Sequence, residues 1–100
     1  MLEASYGRLV ASVIVFWEIA IKRAKGKLDL DPEKMRSELV ARRFDFLPVD
    51  LHHVGALGDL PRLHGDPFDR MMIAQAETEG LTFLTADARL GAYGRRVRVV

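Results

Sequence analysis

Three carboxylates occupy positions from which a folded chain could bring them together: Glu18, Asp69 and Asp87. Glu18 lies within a predicted helix, Asp69 near the start of another, and Asp87 directly after a predicted strand. Clustered carboxylates repel one another, and a bound hard cation is the usual way to keep them ionised together. Oxygen-only ligands favour Mg²⁺ or Mn²⁺ over zinc. The three acids therefore predict a divalent-cation site.

Glu18 also has a purely structural interpretation. The surrounding segment, residues 13–21, is apolar on nearly every side and is expected to be buried, where an unpaired carboxylate is costly. Lys22 follows four residues later, so Glu18 could instead form an (i, i+4) ion pair in a polar stripe extended by Lys25. The spacing alone leaves both interpretations open.

Asp69 and Asp87 have structural interpretations as well. Asp66 is a predicted N-cap, which places Asp69 in the first turn of its helix, where a carboxylate interacts favourably with the helix dipole. Asp87 is suited to cap a short helix beginning at Ala88. However, a polar residue just past the carboxyl end of a parallel strand is also where open α/β sheets place their chemistry. The case for a site therefore depends on the acids in combination.

The histidines favour an oxygen site by default. His52 and His53 are adjacent, a spacing that is not expected to place both rings on one metal-binding face of a helix, and His64 stands alone. We predict that all three are surface or loop residues rather than ligands.

The elements that must position the acids alternate between strand and helix. Strands are predicted at residues 8–11, 44–49, 81–85 and 97–100, and helices at 13–25, 32–43, 51–57, 67–79 and 88–93. Ser12, Asp31 and Asp66 are the predicted N-caps of the three longest helices, and residues 1–5 look like the end of a helix. This alternation predicts an α/β fold around a mostly parallel sheet. The length of 100 residues predicts a single domain.

The composition sets few further limits. The chain is 49% hydrophobic and 29% charged, as is ordinary for a globular protein, and its formal charge of +1 provides no global attraction to nucleic acid. There is no cysteine and no recognisable signal peptide, so we expect a cytoplasmic protein. The apolar run at residues 9–24 is interrupted by Ser12, Glu18, Lys22 and Arg23, which argues against a membrane span.

Three sequence blocks resemble, in family order, segments of PIN-domain ribonucleases of the VapC toxin type. Residues 12–22 contain Trp-Glu-Ile-Ala-Ile-Lys, residues 64–76 contain Asp-Pro-Phe-Asp-Arg followed by Ile-Ala-Gln-Ala, and residues 84–90 contain Thr-Ala-Asp-Ala-Arg-Leu. The resemblance covers nearly the whole chain. It implies a three-layer α/β/α PIN-like fold over residues 1–100 and a toxin of a type II toxin–antitoxin system that hydrolyses RNA phosphodiester bonds with Mg²⁺ or Mn²⁺.

The resemblance also implies roles for individual residues. Glu18, Asp69 and Asp87 would be the catalytic and metal-binding acids, with Thr85 and Asp66 in support. Basic side chains on and after the first helix are candidates for contact with RNA phosphates: Lys22, Arg23, Lys25 and Lys27. A second basic set, Arg95, Arg96 and Arg98, is more typical of a solvated face. The implied partners are a VapB-type antitoxin, facing the helix from Asp31 to Arg43, and a second copy of the chain.

The chain departs from the family pattern at its start. A fourth acid belongs to an N-terminal strand in the middle of the family's sheet, and nothing before Arg8 matches that strand. We therefore expect a partial domain lacking the family's first, central strand and its first helix. Loss of a central strand leaves unpaired backbone edges facing each other. The alternatives are closure of the gap, a strand borrowed from a partner, a fragment, and a wrongly assigned gene start.

Two other functions are compatible with the acids. One is a catalytically inactive PIN remnant that serves as an antitoxin-binding or dimerisation module. The other is a Mg²⁺-dependent enzyme of another class, such as a phosphatase, which would need an aspartyl nucleophile two residues from a second Asp at a strand end. Asp29 and Asp31 have that spacing, but Gly26 before them and Pro32 after them indicate a loop and a helix cap.

Overall fold

The computed structural model describes residues 1–63 and 65–100, so the prediction for His64 falls outside the described residues. The predicted alternation of strands and helices is confirmed. The elements are β1 (Leu2–Glu3), β2 (Leu9–Ser12), α1 (Val13–Ala24), α2 (Pro32–Ala41), β3 (Asp45–Leu47), α3 (Leu51–Asp59), α4 (Pro67–Glu79), β4 (Thr82–Thr85), a 3₁₀ helix (Ala88–Tyr93) and β5 (Val97–Val99).

The strands form one mixed sheet in the order β3-β2-β1-β4-β5. β2 pairs in parallel with β3, and β4 pairs in parallel with β5. β1 lies between the two pairs and runs antiparallel to both of its neighbours. The other four strands consequently share one direction, which confirms the predicted α/β fold with a mostly parallel sheet.

The prediction that residues 1–5 end a helix is wrong. Leu2 is a strand residue whose register partners are Val10 of β2 and Phe83 of β4, and its side chain is fully buried. The physical reason is that β2 and β4 present backbone N–H and C=O groups toward each other, and an extended segment satisfies both edges. Residues of this chain thus occupy the central place in the sheet, while the absence of the family's own first strand stays a prediction.

Local capping signals position the helices as predicted. Ser12 Oγ accepts the Ile14 backbone N–H at 3.1 Å, and Asp31 Oδ1 accepts that of Glu33 at 3.0 Å. Gly80 ends α4 in the left-handed conformation with φ of 68°, which glycine adopts without strain. The cap at Asp31 also confirms the interpretation of the Asp29–Asp31 segment as a loop and helix cap.

A buried polar bridge joins α4 to the start of α1. Gln75 is fully buried, its Oε1 accepts the Ser12 hydroxyl at 2.6 Å, and its Nε2 donates to the Pro48 carbonyl at 3.3 Å. Around it lies an apolar core to which β1, α4 and β4 contribute Leu2, Ile73 and Phe83. Because the sheet ends meet α4 at this bridge, it helps fix where the helix starts relative to the strands.

Replacing Gln75 with Ala is expected to lower the free energy of unfolding by about 2 kcal/mol, since it leaves buried hydrogen-bonding groups on Ser12 and Pro48 without a partner. Urea unfolding followed by circular dichroism measures the change. Glu77→Ala is the matched control, because Glu77 is exposed on the same helix. A loss below 0.5 kcal/mol for Gln75→Ala would show that the bridge does not stabilise the fold.

The expected full burial of residues 13–21 is wrong. Ile14 and Ile19 are buried, but Val13 is 44% exposed and Trp17 is 56% exposed. The reason is that α1 packs against β2, α2 and α4 along one side only and leaves its other face uncovered. An ionised carboxylate on this helix therefore does not have to be buried.

The apolar run at residues 9–24 does not form one continuous segment. Its first part is β2 and its second part is α1, with Ser12 at the junction. Within residues 1–63 and 65–100, no helix has both the length and the apolar character needed to cross a bilayer.

Candidate metal centre

Asp69 is the acid around which the other predicted site residues are arranged. It lies in the first turn of α4, half-buried, and its backbone N–H donates to Asp66 Oδ1 at 2.8 Å. Burial, together with repulsion from the carboxylates of Asp66, Glu18 and Asp87, raises the pKa of Asp69 to about 6. The fold thus brings the three predicted acids, together with Asp66, into one electrostatic neighbourhood.

Glu18 reaches this neighbourhood from α1 and is paired on its own helix. Its Oε2 lies 2.8 Å from Lys22 Nζ, so the predicted (i, i+4) pair is confirmed, and its side chain is 21% exposed. The pKa of Lys22 is raised, chiefly by Glu18 and further by Asp66 and Asp69. Lys22, a member of the predicted RNA-binding set, therefore interacts electrostatically with the acids.

Asp87 approaches from the carboxyl end of β4. Its Oδ1 accepts the Arg89 backbone N–H at 3.0 Å, which confirms the predicted cap, and its Oδ2 lies 2.7 Å from the Arg89 guanidinium. Thr85 Oγ1 accepts the Asp87 backbone N–H at 3.1 Å. Thr85 therefore holds the backbone that carries Asp87, and its supporting role in a site stays a prediction.

The acids around Asp69 carry enough negative charge to bind a divalent cation. Four carboxylates face two side-chain cations, Lys22 and Arg89, and the Met1 ammonium also interacts with Asp69, so the fully ionised group keeps an excess of negative charge. All the acidic donors are carboxylate oxygens, the ligands that Mg²⁺ and Mn²⁺ prefer. Mg²⁺ usually keeps several waters and binds through one or two carboxylates, so it does not require all four acids in direct contact. The donor set fits such an ion.

The raised pKa of Asp69 predicts a specific pH dependence of stability in metal-free solution. Because the folded-state pKa of about 6 exceeds the ordinary 3.8, stability is lost as pH rises from 3.8 through 6. The difference corresponds to about 3 kcal/mol, which solvent screening at a half-buried carboxyl reduces to about 1–2 kcal/mol. Asp69→Asn should therefore be more stable than the wild type at pH 7.5 and no more stable at pH 3.5. Thermal unfolding at both pH values checks this, and an equal difference at both would contradict it.

The remaining basic residues of the predicted RNA-binding set are exposed. Arg23 lies 3.4 Å from Asp31, and Lys25 and Lys27 are exposed at and beyond the end of α1. In the C-terminal basic set, Arg98 pairs with Glu3 at 3.0 Å, as is typical of a solvated face. Contact of the first set with RNA stays a prediction.

The prediction that the histidines are surface or loop residues is wrong for His53. His53 is fully buried in the first turn of α3, whereas His52 beside it is exposed. Both rings contact Glu79 Oε2, at 2.9 Å for His52 and 3.0 Å for His53, and these hydrogen bonds lower the pKa of Glu79. The reason is that α3 packs along α4 and brings the end of α4 to the histidines.

A second potential metal-binding group therefore exists away from Asp69. Within residues 1–63 and 65–100, Asp50, His52 and His53 are the group of three whose ligand atoms all lie within 4.8 Å of one another. Adjacent histidines after an aspartate at a helix start were the available sequence signal, but Glu79 lies 26 residues from His53 in the sequence. Because of this long separation, the contact of the histidines with Glu79 could not be recognised in the sequence.

Comparison of the chain with curated proteins and with solved structures finds no match. The sequence profile of the PIN domain family matches residues 1–96. PIN domains are typically metal-dependent nucleases. Because the match covers nearly the whole chain of 100 residues, the protein belongs to the PIN domain family.

Proposed function

We propose that this PIN domain is the toxin of a type II toxin–antitoxin system, a Mg²⁺- or Mn²⁺-dependent endoribonuclease that cleaves RNA in the cytoplasm. The observation that carries the proposal is the placement of Asp69, half-buried in the first turn of α4, where the carboxylates of Glu18, Asp66 and Asp87 act on it. Carboxyls whose pKa is raised by burial and by neighbouring carboxylates cluster at functional sites, where the chemistry requires shifted pKa values. Family membership supports the nuclease reaction, and the three VapC-like sequence blocks support the toxin assignment.

In this proposal Glu18, Asp69 and Asp87 hold the cation, which when bound lowers the pKa of a water and neutralises charge on the phosphoryl oxygens. The chain's own residues prepare the site. The Asp66 cap fixes the first turn of α4 that carries Asp69, and Thr85 fixes the backbone at Asp87. Both contacts place acids on helix and strand ends, which hold a site more rigidly than loops do.

The RNA backbone is proposed to approach along the end of α1. Lys22 is close enough to the acids for Asp66 and Asp69 to raise its pKa, so it can contact the phosphate next to the scissile bond. Lys25 and Lys27 continue the positive charge away from the acids and are exposed. Phosphate contacts of this kind position an RNA without reading its sequence.

The proposed protein partners are a VapB-type antitoxin and a second copy of the chain. An apolar groove of about 330 Å³ runs between α1 and α2 and is lined by Val13, Phe16, Pro32 and Phe46. An amphipathic segment can dock its apolar face in a groove of this type. The groove supports the predicted antitoxin-facing role of the second long helix, here α2, and the adjoining exposed Trp17 provides apolar surface for dimerisation.

The second candidate function is a catalytically inactive PIN domain that binds the antitoxin or dimerises. The observation that favours it is the pairing of two of the acids with cations on neighbouring turns. Glu18 is engaged by Lys22 and Asp87 by Arg89, both in ion pairs shorter than 3 Å. In this alternative the acids serve as caps and salt-bridge partners only.

Cleavage of a labelled single-stranded RNA by the purified full chain tests the proposal. We expect cleavage with Mg²⁺ or Mn²⁺, none with EDTA, and slower cleavage after Lys22→Ala because a phosphate contact is lost. Lys34→Ala is the control, since Lys34 is an exposed lysine on α2. Absence of cleavage with either cation at high protein concentration would overturn the proposed nuclease function and favour the inactive binding module.

A further inference from the structure

His52 and His53, at the start of α3, form a cluster with two carboxylates, Asp50 and Glu79. The rings of His52 and His53 lie side by side, with centroids 4.3 Å apart and planes tilted by 48°. At one edge, His52 Nδ1 contacts Asp50 Oδ1 directly, and His53 Nδ1 lies 3.7 Å from the same oxygen. At the other edge, the Nε2 atoms of both rings contact one oxygen of Glu79. The two imidazoles thus lie between two carboxylates.

The hydrogen bonds define the tautomer of His53. Its Nδ1 accepts the Asp50 backbone N–H at 3.1 Å, so this nitrogen carries no hydrogen. Its Nε2 must then carry the hydrogen, which it donates to Glu79 Oε2. This is the arrangement of a metal-binding histidine, whose other ring N–H usually donates to a carboxylate that fixes the tautomer.

We propose that Asp50 Oδ1, His52 Nδ1 and His53 Nδ1 form a binding site for a zinc-class transition metal, with Glu79 orienting both imidazoles from behind. Two imidazole nitrogens and one carboxylate oxygen are a donor set that Zn²⁺ accepts and Mg²⁺ does not prefer. Bonds of about 2.1 Å in a tetrahedron place ligand atoms roughly 3.4 Å apart. The 3.7 Å between His53 Nδ1 and Asp50 Oδ1 is close to that spacing, whereas His52 Nδ1 and Asp50 Oδ1 are in direct contact and must move apart, which the exposure of both side chains allows.

Exposure of the two outer ligands gives a metal access to the site. The side chains of Asp50 and His52 are 53% and 57% exposed, while His53 is fully buried beneath them. Metal binding requires the Asp50 backbone N–H to give up its hydrogen bond to His53 Nδ1, and His52 Nδ1 to separate from Asp50 Oδ1. Both Nδ1 atoms must be free of hydrogen to bind a metal, so the affinity should fall as the pH is lowered.

The proposed site is separate from the acids around Asp69. Glu79 and Asp69 lie at opposite ends of α4, ten residues apart, which corresponds to roughly 15 Å along a helix. The proposed ligands all lie at the start of α3, and Glu79 at the end of α4 is linked to them through the two imidazoles, so a bound metal would strengthen an existing contact between these helices. It takes no part in the proposed RNA cleavage.

Titration of the metal-free full chain with Co²⁺ tests the proposal, because tetrahedral Co²⁺ absorbs visible light. We expect one absorbing Co²⁺ per chain, displaced by Zn²⁺. His52→Ala should weaken binding at least about 100-fold by removing a ligand, and Glu79→Gln about 10–100-fold by loosening both imidazoles. Asp69→Asn is the matched control and should bind Co²⁺ as the wild type does.

Two features keep this test decisive. His52 and Asp50 are exposed, so His52→Ala and Asp50→Asn are expected to fold, unlike a change at buried His53. Mg²⁺-dependent RNA cleavage should be unchanged in His52→Ala, which separates this site from the proposed nuclease site. Absence of an absorbing 1:1 complex would overturn the proposal. Equal Co²⁺ affinity in the wild type, His52→Ala and Glu79→Gln would overturn it as well.

Discussion

Asp69→Asn is expected to reduce Mg²⁺-dependent RNA cleavage by about 10²–10³-fold, the scale of losing a group that acts directly on developing charge. Asn keeps the size of the side chain but removes the negative charge that a hard cation requires. Asp69 is the acid most affected by its neighbours, since burial and the carboxylates of Asp66, Glu18 and Asp87 all raise its pKa. Measurement of kcat/KM with a labelled RNA gives the size of the loss.

Asp69→Asn should also increase stability at neutral pH. Because activity falls while stability rises, a loss of activity caused by unfolding can be recognised. A loss of activity through unfolding would be accompanied by a lower melting temperature, whereas removal of a repelled carboxylate raises it. Asp59→Asn is a matched variant at an exposed acid on α3 and should change neither property. Wild-type cleavage by Asp69→Asn would show that Asp69 acts only as a first-turn acid of α4.

Leu2→Ala is expected to lower the free energy of unfolding by about 2–5 kcal/mol, a large fraction of the stability of a small domain. Leu2 is fully buried in β1, which pairs with β2 on one side and β4 on the other. Truncation leaves a cavity where both halves of the sheet meet the core. Urea unfolding monitored by Trp17 fluorescence and circular dichroism measures the loss.

Tyr6→Ala is the control for this prediction. Tyr6 lies in the turn between β1 and β2 and is 77% exposed, so its truncation should cost less than 0.5 kcal/mol. If Leu2→Ala is as harmless as Tyr6→Ala, then β1 does not hold the middle of the sheet. The edges of β2 and β4 would then need another partner.

The helices could be predicted because their signals are local. Ser12, Asp31 and Asp66 each accept a backbone N–H from the first turn that they begin, and Gly80 ends α4 in a conformation that suits glycine. β1 could not be predicted, since a strand of two residues has no periodicity to detect. Its conformation is set by hydrogen bonds to strands distant in the sequence.

The candidate site also has features that could be predicted from the sequence and features that could not. Glu18, Asp69 and Asp87 were recognisable from sequence blocks, and their caps and ion pair follow from local spacing. Contacts between elements could not be predicted from the sequence. The exposed face of α1 and the burial of His53 both depend on which helices pack together. The carboxylate of Glu79 reaches His53 only because α3 lies along α4.

Binding of Mn²⁺ by the purified chain at pH 7.5, followed by electron paramagnetic resonance, is the most direct test of the claim that the acids around Asp69 form a divalent-cation site. The wild type and His52→Ala should bind Mn²⁺ equally, because the histidine cluster is separate from the acids. Asp69→Asn should lose that binding. Equal Mn²⁺ affinity in the wild type and Asp69→Asn would contradict the assignment of the site.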